Sequence, residues 1–488
     1  MISKEAKPAM ENESRDDRIA PTPSWRERLK YWTGLNRAIA LFVAARLWSA
    51  CAGVVTILLI AHFLTANEQG YYYTFFSLVA LQVVFELGFG FVILQMAAHE
   101  RAELSFLPGG QIDGNPAARS RLASLLKLFM TWYAVADALM ISTLLPAGLY
   151  FFNLHQHIGT LVAWRGPWSL LVLAVAANFL LCPMAAFIEG CGFVPQVALM
   201  HLGQVLLGSL LAWTAMATRH GLYSPAMQML GLAIVQGLFL LRPRFRRMLA
   251  SLLHCPCEGH TIDWRLEILP FQWRIAITWL SSYFTYQAMT PILFSYQGPQ
   301  TAGRLGMSMS ITTALSTIGL AWMSTKASPF GNLIARGEIE ELNRVFFRTL
   351  WQSTALVSMG AVTVFAALEI VSQRLPQLAM RVLPPGSFAF LLLTMLMNHV
   401  LSSEALYMRA HKREPLLVQT VTVAVVLLLS TLILGRTSGA SAVVGGYFLF
   451  GGLLSLGWGT SVFISKRREW YGLSVFEASP VARAAEKV

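Results

Sequence analysis

GYYYTFFSLVALQVVFELGFGFVILQMAA, residues 70–98, is the stretch that decides the fold. At a helical rise of about 1.5 Å per residue, it is long enough to cross a bilayer as one helix. Gln82, Glu86 and Gly90 recur every four residues in its centre, so a continuous helix places them on one face. Because an acid is costly in hydrocarbon, this face is predicted to line a bundle interior or a water-filled path. Hydrogen bonding to a neighbouring helix is the alternative.

The composition of the chain predicts a polytopic membrane protein. Of the 488 residues, 55% are hydrophobic and only 13% are charged, whereas soluble proteins carry about 25% charged residues. The net charge of +12 does not indicate nucleic-acid binding, because the basic residues flank hydrophobic spans instead of forming a compact basic domain. Residues 1–35 are polar and of mixed charge, unlike a secretory signal, and the five cysteines predict no disulfide framework.

About twelve hydrophobic spans follow one another along the chain. Most of the 37 lysines and arginines lie in the two tails and in the links that follow even-numbered spans. The positive-inside rule therefore predicts that both termini are cytoplasmic. The predicted spans are 38–63, 70–97, 122–149, 167–190, 193–217, 221–241, 272–297, 302–325, 347–370, 387–408, 416–435 and 439–464.

The two halves of the chain carry a similar sequence before their second spans. LTANEQGYYYTFFSLVAL (64–81) and QGPQTAGRLGMSMSITTAL (297–315) both contain a short turn-rich link, followed by a helix that opens near Gly70 or Gly303. Parallel repeats of six spans are typical of alternating-access transporters with a site between the halves, and chance similarity of apolar helices is the alternative. The predicted divisions are a tail with an interfacial helix at SWRERLKYW (1–36), a first half (37–241), a linker (242–271), a second half (272–465) and a C-terminal tail (466–488).

Three segments together resemble a known superfamily. The residues are GYYYTFFSLVALQVVFELGFGFV (70–92), NFLLCPMAAFIEGCGFVPQVALMHLGQ (178–204) and AWMSTKASPFGNLIARGEIEEL (321–342). They resemble the lipopolysaccharide and polysaccharide (O-antigen-type) flippases of the MOP superfamily, which also contains the MATE drug exporters and the lipid II flippase. The resemblance extends from about Arg37 to Lys466.

The resemblance implies an all-α polytopic membrane protein, with about twelve transmembrane helices in two six-helix lobes around a central cavity. It implies translocation of an undecaprenyl-pyrophosphate-linked oligosaccharide across the bacterial inner membrane for surface polysaccharide export. Membrane lipids, and a polysaccharide polymerase or glycosyltransferases of the same pathway, are the implied partners. The alternative function is a MATE-type, cation-coupled antiporter of organic cations. A cationic cavity favours the first cargo and an acidic, aromatic cavity favours the second.

A pyrophosphate group needs cations in a partly dry cavity, and two arginines are candidates to supply them. Arg46 lies within the first span, with snorkelling to the interface or pairing with Glu86 or Asp137 as alternatives. Arg274 opens the seventh span and is followed on one face by Thr278 and Ser282, with interface anchoring as its alternative. Together with Gln82 these residues form the predicted substrate site. The hydroxyls of residues 308–317 suit sugar binding, but helix–helix hydrogen bonding is the commoner use of such hydroxyls.

The acids Glu86 and Asp137 lie deep in predicted spans, where a carboxylate can exchange a proton or bind a cation. We predict that one of them couples transport to proton or sodium movement, or that both form a structural pair with Arg46. Glu189 and Arg409 occupy matching positions near the ends of spans four and ten. They are predicted to be turn or gate residues, and simple helix-end flanks are the alternative.

No signature of an enzyme or a metal protein is found in the sequence. The segment His254-Cys255-Pro256-Cys257 places one residue between its cysteines, which is too close for the usual zinc spacing. A phosphate-binding GxxxxGK[ST] loop, a nucleophile elbow and an HExxH motif are all missing from the sequence. The expectation is therefore a transporter without cofactor or metal, and a membrane-bound glycosyltransferase is disfavoured because the predicted outer links are short.

Overall fold

The computed structural model describes residues 37–107, 109–155, 162–255, 261–411 and 415–471. In this part of the chain, ten helices are long and apolar enough to cross a membrane, and the number is eleven when one bent helix pair is counted as a single span. The all-α polytopic architecture is therefore confirmed. The predicted interfacial helix at 24–32, the residues 256–260 of the His-Cys segment and most of the C-terminal tail lie outside the described residues.

Two helices of the first half begin at residues whose side chains cap the helix N-terminus. Thr65 and Glu68 form a reciprocal capping box at the start of the second span, and Asn115 accepts a hydrogen bond from the Ala117 amide before the third. A short antiparallel hairpin joins these two spans. The elements are α1 (Arg37–Phe63), α2 (Ala66–Val79), α3 (Val83–Glu86), α4 (Phe89–Glu100), β1 (Leu104–Phe106), β2 (Ile112–Gly114), α5 (Pro116–Leu154), α6 (Arg165–Gly190), α7 (Val194–Ala217) and α8 (Ser224–Leu240).

The second half repeats the alternation of helices, and its last span includes a π-helical stretch at Tyr447–Leu454. An amphipathic helix in the linker, α9, separates it from the first half. The elements are α9 (Pro243–Leu253), α10 (Leu269–Tyr286), α11 (Met289–Gln297), α12 (Pro299–Ser324), α13 (Ala327–Arg336), α14 (Ile339–Arg374), α15 (Pro376–Ala379), α16 (Pro385–Ala410), α17 (Leu417–Thr437), α18 (Ala440–Gly446) and α19 (Ser455–Tyr471).

The second span is not the continuous helix that its sequence predicts. Leu87 and Gly88 both adopt left-handed backbone angles, with φ of 51° and 68°. The segments on the two sides of this break are bent by 44°. The prediction of one continuous helix through residues 70–98 is therefore wrong, because the helical register ends at Leu87, although Glu86 still lies next to Gly90. Gly88 allows the break because it has no Cβ, whereas Leu87 carries a steric cost there.

The seventh span is also divided. Helix α10 ends at Tyr286 and α11 begins at Met289, so this span consists of two shorter pieces. Neither piece meets the length and apolarity that define the other spans, which explains why ten or eleven spans are found where about twelve are predicted. Divided helices in transporters leave backbone groups free near the midplane of the membrane.

The linker is attached to the first half. Phe245, Met248 and Leu252 form the buried face of α9. Arg121 of α5 donates to Glu100 at 2.9 Å and to Glu267 of the linker at 2.6 Å. The Arg121 guanidinium holds the pKa of Glu267 below its ordinary value. We call the end of the molecule that holds this linker the linker end, and the opposite end, where α2 and α12 begin, the far end.

Candidate functional site

A chamber of about 910 Å³ lies between the two halves. Helices α1, α2, α7 and α8 of the first half line it on one side, and α10, α11, α12 and α16 of the second half line it on the other. Tyr286 and Thr313 line the chamber and remain exposed, so the chamber is open to its surroundings. Its size falls at the upper end of the range of about 300–1,000 Å³ that is usual for small-molecule sites.

The wall of the chamber combines apolar side chains with many uncharged polar ones. Among the described residues that line it there is no Asp, Glu, Lys, Arg or His. This finding differs from the cationic cavity expected for a pyrophosphate cargo and from the acidic cavity expected for organic cations. The hydroxyl and amide side chains of the wall are Ser49, Thr56, Ser77, Ser209, Gln228, Gln287, Thr290, Ser310, Thr312, Thr313, Ser316, Thr317, Asn398 and Ser402. The aromatic side chains are Trp48, Tyr72, Tyr73, Phe76, Tyr286 and Tyr447.

Two tryptophans hold α1 against α7 beside the chamber. The Trp48 indole N–H donates to Ser209 Oγ at 3.0 Å, and the Trp213 indole N–H donates to Thr56 Oγ1 at 2.9 Å. The two indole rings lie 6.1 Å apart. These contacts fix the orientation of Trp48, which presents its ring to the chamber while its only polar group is satisfied.

At the far end, hydrogen bonds connect the two halves and close the chamber. The Gln69 side-chain amide donates to Gly303 O and to Arg381 O, both at 2.9 Å. Arg381 Nη1 donates back to Gln69 Oε1 at 3.4 Å. Burial lowers the pKa of Arg381 from its ordinary value, and the charge of Glu68 opposes this effect. Gln69 is 1% exposed, so these bonds form in a dry contact where they strengthen the closure.

Aromatic side chains close the far end as well. Phe294 of α11 is fully buried and contacts three rings of the first half. Its ring centroid lies 5.0 Å from that of Tyr71, 5.4 Å from Phe152 and 5.7 Å from Phe151. A movement that opens the far end must therefore separate this cluster as well as the Gln69 contacts.

The glycines that mark the sequence repeat meet at this closure. A Cβ at Gly303 would lie 2.9 Å from Gly70 N, and a Cβ at Gly70 would lie 2.0 Å from Pro299 O. A Cβ at Gly306 would lie 2.4 Å from the Tyr73 side chain. Helices α2 and α12 approach this closely only because these positions lack a side chain. The similarity of the two halves thus has a structural counterpart in this crossing.

Arg46 lies beside the chamber without lining it. It is exposed and, among the described residues, forms no ion pair or hydrogen bond. Ser49 and Gly53 follow it by three and seven residues and line the chamber. Positions with this spacing share one helix face, so Arg46 lies on the chamber side of α1, one turn closer to the linker end.

Four further predicted residues lie away from the chamber. Arg274 is exposed and its guanidinium lies 5.4 Å from the Trp273 ring centroid. Thr278 and Ser282 donate their hydroxyls to the carbonyl groups four residues earlier, at 3.0 and 2.9 Å. Thr278 and Arg409 both line a small pocket of about 20 Å³ between α10, α16 and α17. These positions do not form one binding surface with Arg46.

The predicted acids lie inside the first half. Glu86 is half-buried at the break between α3 and α4. Its Oε1 would lie 3.1 Å from a Cβ at Gly90, and the Tyr133 hydroxyl is also close to that Cβ position. Asp137 is half-buried on α5, and its Oδ1 has no hydrogen-bond partner among the described residues. In this part of the chain, neither acid forms an ion pair with Arg46.

The remaining predicted residues, Gln82 and Glu189, are half-buried and also lie outside the chamber wall. Gln82 ends the 3-10 turn before α3, and Glu189 lies at the end of α6 beside the turn to α7. The sequence reasoning missed Gln69 and Asn398. Their signal was weak, because a single amide in the sequence does not show which neighbour it faces.

No family model and no curated protein sequence matches the chain. Solved structures do match its fold. The lipid II flippase MurJ in an inward closed conformation has 14% identity and a TM-score of 0.55, over 87% of this chain and 89% of that chain. The MATE multidrug transporter DinF-BH has 14% identity and a TM-score of 0.54, over 90% and 97%. An inward-facing MATE family transporter of the MOP superfamily has 14% identity and a TM-score of 0.52, over 85% and 99%. The chain therefore has the fold of the MOP-superfamily transporters.

Proposed function

We propose that this protein moves a lipid-linked saccharide across the bacterial inner membrane by alternating access. The observation that carries the proposal is the uncharged chamber between the two halves, rich in hydroxyl, amide and aromatic side chains. Separation of the α2–α12 crossing would open this chamber at the far end. The proposed cycle therefore alternates between the far-end-closed arrangement described above and one that is open there.

The chemistry of the wall suits a carbohydrate. Sugars present hydroxyl groups that pair with amides and hydroxyls such as those of Asn398, Gln287 and Thr317. Their apolar faces pack on aromatic rings, and Trp48 and Tyr286 are two of the six aromatic residues of the wall. An uncharged wall does not repel a neutral saccharide and does not require it to lose strong hydration.

Arg46 is the proposed partner of the phosphate groups. Its guanidinium is suited to paired hydrogen bonds with phosphate oxygens. Because it lies one turn beyond the wall and is exposed, a saccharide in the chamber can extend its phosphates toward Arg46 and its polyprenyl chain into the bilayer. In this arrangement the linker end is cytoplasmic, as the basic links predict. The enzymes that make and polymerise the saccharide are the proposed partners of the pathway.

The alternative cargo, an organic cation, receives less support from the chamber. An organic cation is normally held by carboxylates and aromatic rings. Aromatic rings are present here, but no carboxylate lines the chamber among the described residues. Glu86 and Asp137 lie in the interior of the first half instead.

The test is transport in vesicles reconstituted with the purified protein. Fluorescent undecaprenyl-pyrophosphate oligosaccharide and a fluorescent organic cation are supplied separately, and movement across the bilayer is followed. We expect Thr317→Val to slow movement of the saccharide, because it removes a hydroxyl from the wall. Thr363→Val is the matched control, since both hydroxyls bond to carbonyls of their own helices but Thr363 is exposed on the surface of α14. Equal rates in the two variants, or transport of the cation alone, would contradict the proposal.

A second arm of this test uses Arg46. We expect Arg46→Ala to reduce movement of the lipid-linked substrate by about tenfold or more, the effect of losing one or two charge-assisted hydrogen bonds. Arg46→Lys keeps the charge but not the paired geometry, so it should recover only part of the rate. Unchanged rates in Arg46→Ala would remove Arg46 from the site.

A further inference from the structure

A buried histidine in the second half has one ring nitrogen without a partner. His399 of α16 is 0% exposed, and its Nε2 lies 3.0 Å from Ser353 Oγ of α14. Ser353 Oγ also lies 3.1 Å from Leu350 O, and a carbonyl only accepts, so the single hydroxyl hydrogen is directed there. His399 Nε2 must then carry the hydrogen that joins the ring to Ser353. This leaves Nδ1 as a bare acceptor, buried and unpaired among the described residues.

The ring of His399 lies directly behind the chamber wall. Asn398 precedes it on α16 and lines the chamber, whereas His399 is displaced by about 100° around that helix and does not line the chamber. On α12, Gly319 contacts the ring: a Cβ there would lie 2.9 Å from His399 Nδ1 and 2.8 Å from Cε1. Thr317 and Leu320, the neighbours of Gly319, line the chamber. The ring therefore fills the space between two helices that both contribute residues to the wall.

No charged group faces the ring in the described part of the chain. The neighbour from α12 is Gly319, and those from α14 are Ser353 and Val357. The nearest acid on its own helix is Glu404, whose carboxylate accepts from Thr460 Oγ1 of α19 at 3.0 and 3.1 Å. A proton on Nδ1 would create a charged ring whose new N–H points at the α12 backbone, where the helical carbonyls are already used.

We propose that His399 is a proton-binding site that controls how tightly α12 packs against α14 and α16, and so controls the shape of the chamber wall. With Nδ1 bare, Gly319 contacts the ring and the wall has the form described here. With a proton on Nδ1, the N–H requires an acceptor or water, and α12 must move away from the ring to admit it. The site involves none of the residues proposed above to couple transport, and it does not depend on the identity of the cargo.

The experiment measures access to the chamber as a function of pH. A reporter Thr317→Cys is placed in a full-length chain whose five native cysteines are replaced by alanine, in vesicles. Its labelling by a membrane-impermeant thiol reagent is compared between the His399 and His399→Gln proteins at each pH, so that the pH dependence of the reagent cancels in the ratio. Glutamine retains an N–H for Ser353 but does not titrate. His201→Gln, which changes a half-buried histidine of α7 that contacts Gln204, is the matched control.

We expect labelling of the His399 protein to rise relative to His399→Gln as the pH falls between about 8 and 5, where histidine changes its charge. The ratio of the arrangement with α12 moved away from the ring to the arrangement with α12 packed on it can change by at most about tenfold per pH unit. This is the limit for the binding of a single proton. His201→Gln should behave as the parent protein. The same pH dependence in His399→Gln, or a flat ratio in all proteins, would overturn the proposal.

A second variant keeps the proposal testable if His399→Gln does not fold. Ser353→Ala retains the titrating ring and removes its Nε2 partner. We expect the labelling to remain pH dependent with a shifted midpoint, because the partner that fixes the tautomer is lost. A midpoint identical to that of the parent protein would show that the reporter follows another group.

Discussion

Replacement of Gly70 by alanine tests whether the α2–α12 crossing closes the far end. The added Cβ would lie 2.0 Å from Pro299 O and 2.7 Å from Pro299 Cα, whereas ordinary contacts begin at 3.4 Å. All the close atoms belong to the backbone of α12, so no side-chain rotation relieves the overlap. The helices must therefore separate by about 1.4 Å at this point.

This separation also affects the Gln69 contacts, because Gln69 precedes the substituted residue. Its two hydrogen bonds to Gly303 O and Arg381 O are 2.9 Å long and would exceed hydrogen-bonding range after such a shift. At about 1 kcal/mol for each bond, the closed arrangement loses about 2 kcal/mol. That loss raises the ratio of far-end-open to far-end-closed protein by about 30-fold.

The assay is labelling of a Thr290→Cys reporter by an impermeant thiol reagent applied at the far end. Thr290 lines the chamber on α11 and is buried in the closed arrangement. We expect a graded series in which Gly70→Ala labels fastest. Gly303→Ala should be intermediate, since its Cβ meets Gly70 N at 2.9 Å, and Gly457→Ala is the control because nothing lies within 4 Å of that Cβ. Equal labelling of Gly70→Ala and Gly457→Ala would refute the assignment of the gate.

Three other substitutions test further parts of the structure. Gly88→Ala should lower the Tm in detergent. A residue with a side chain loses about 1–2 kcal/mol at φ of 68°, and the new Cβ would lie 2.4 Å from Ile275 Cγ2. An unchanged Tm would contradict the left-handed backbone at Gly88. Glu267→Gln should cost about 0.5–1 kcal/mol near neutral pH. Because Arg121 lowers the folded-state pKa of Glu267, its contribution is present above the unfolded pKa of about 4.3 and is lost as the pH falls through the folded value. Thermal unfolding of the wild-type and Glu267→Gln proteins should therefore converge in acid, and a constant difference would exclude the ion pair as the cause. Asp137→Asn should abolish the dependence of transport on an ion gradient if Asp137 couples it, and an unchanged dependence in vesicles would reject that role.

The sequence by itself determined the class of the protein and much of its plan. Hydrophobic length and low charge require helices that satisfy their own backbone in lipid, so the all-α polytopic architecture follows from composition and periodicity. Helix starts such as that at Thr65 are local, because a capping box involves only residues three apart. The repeat of Gly70 and Gly303 was also visible, although the sequence did not show that these two glycines contact each other.

Only the tertiary structure decided which side chains share a space. The sequence predicted one continuous helix through Gln82, Glu86 and Gly90, whereas left-handed backbone angles at Leu87 and Gly88 divide it. Arg274 was predicted to bind substrate because it is a charged residue at the start of an apolar span, yet it does not line the chamber. The residues that do line it are neutral, and their sequence pattern is the same whether they face a cavity or a neighbouring helix. The physical reason is that a helix pattern specifies a face, whereas the group that this face meets depends on how distant segments pack.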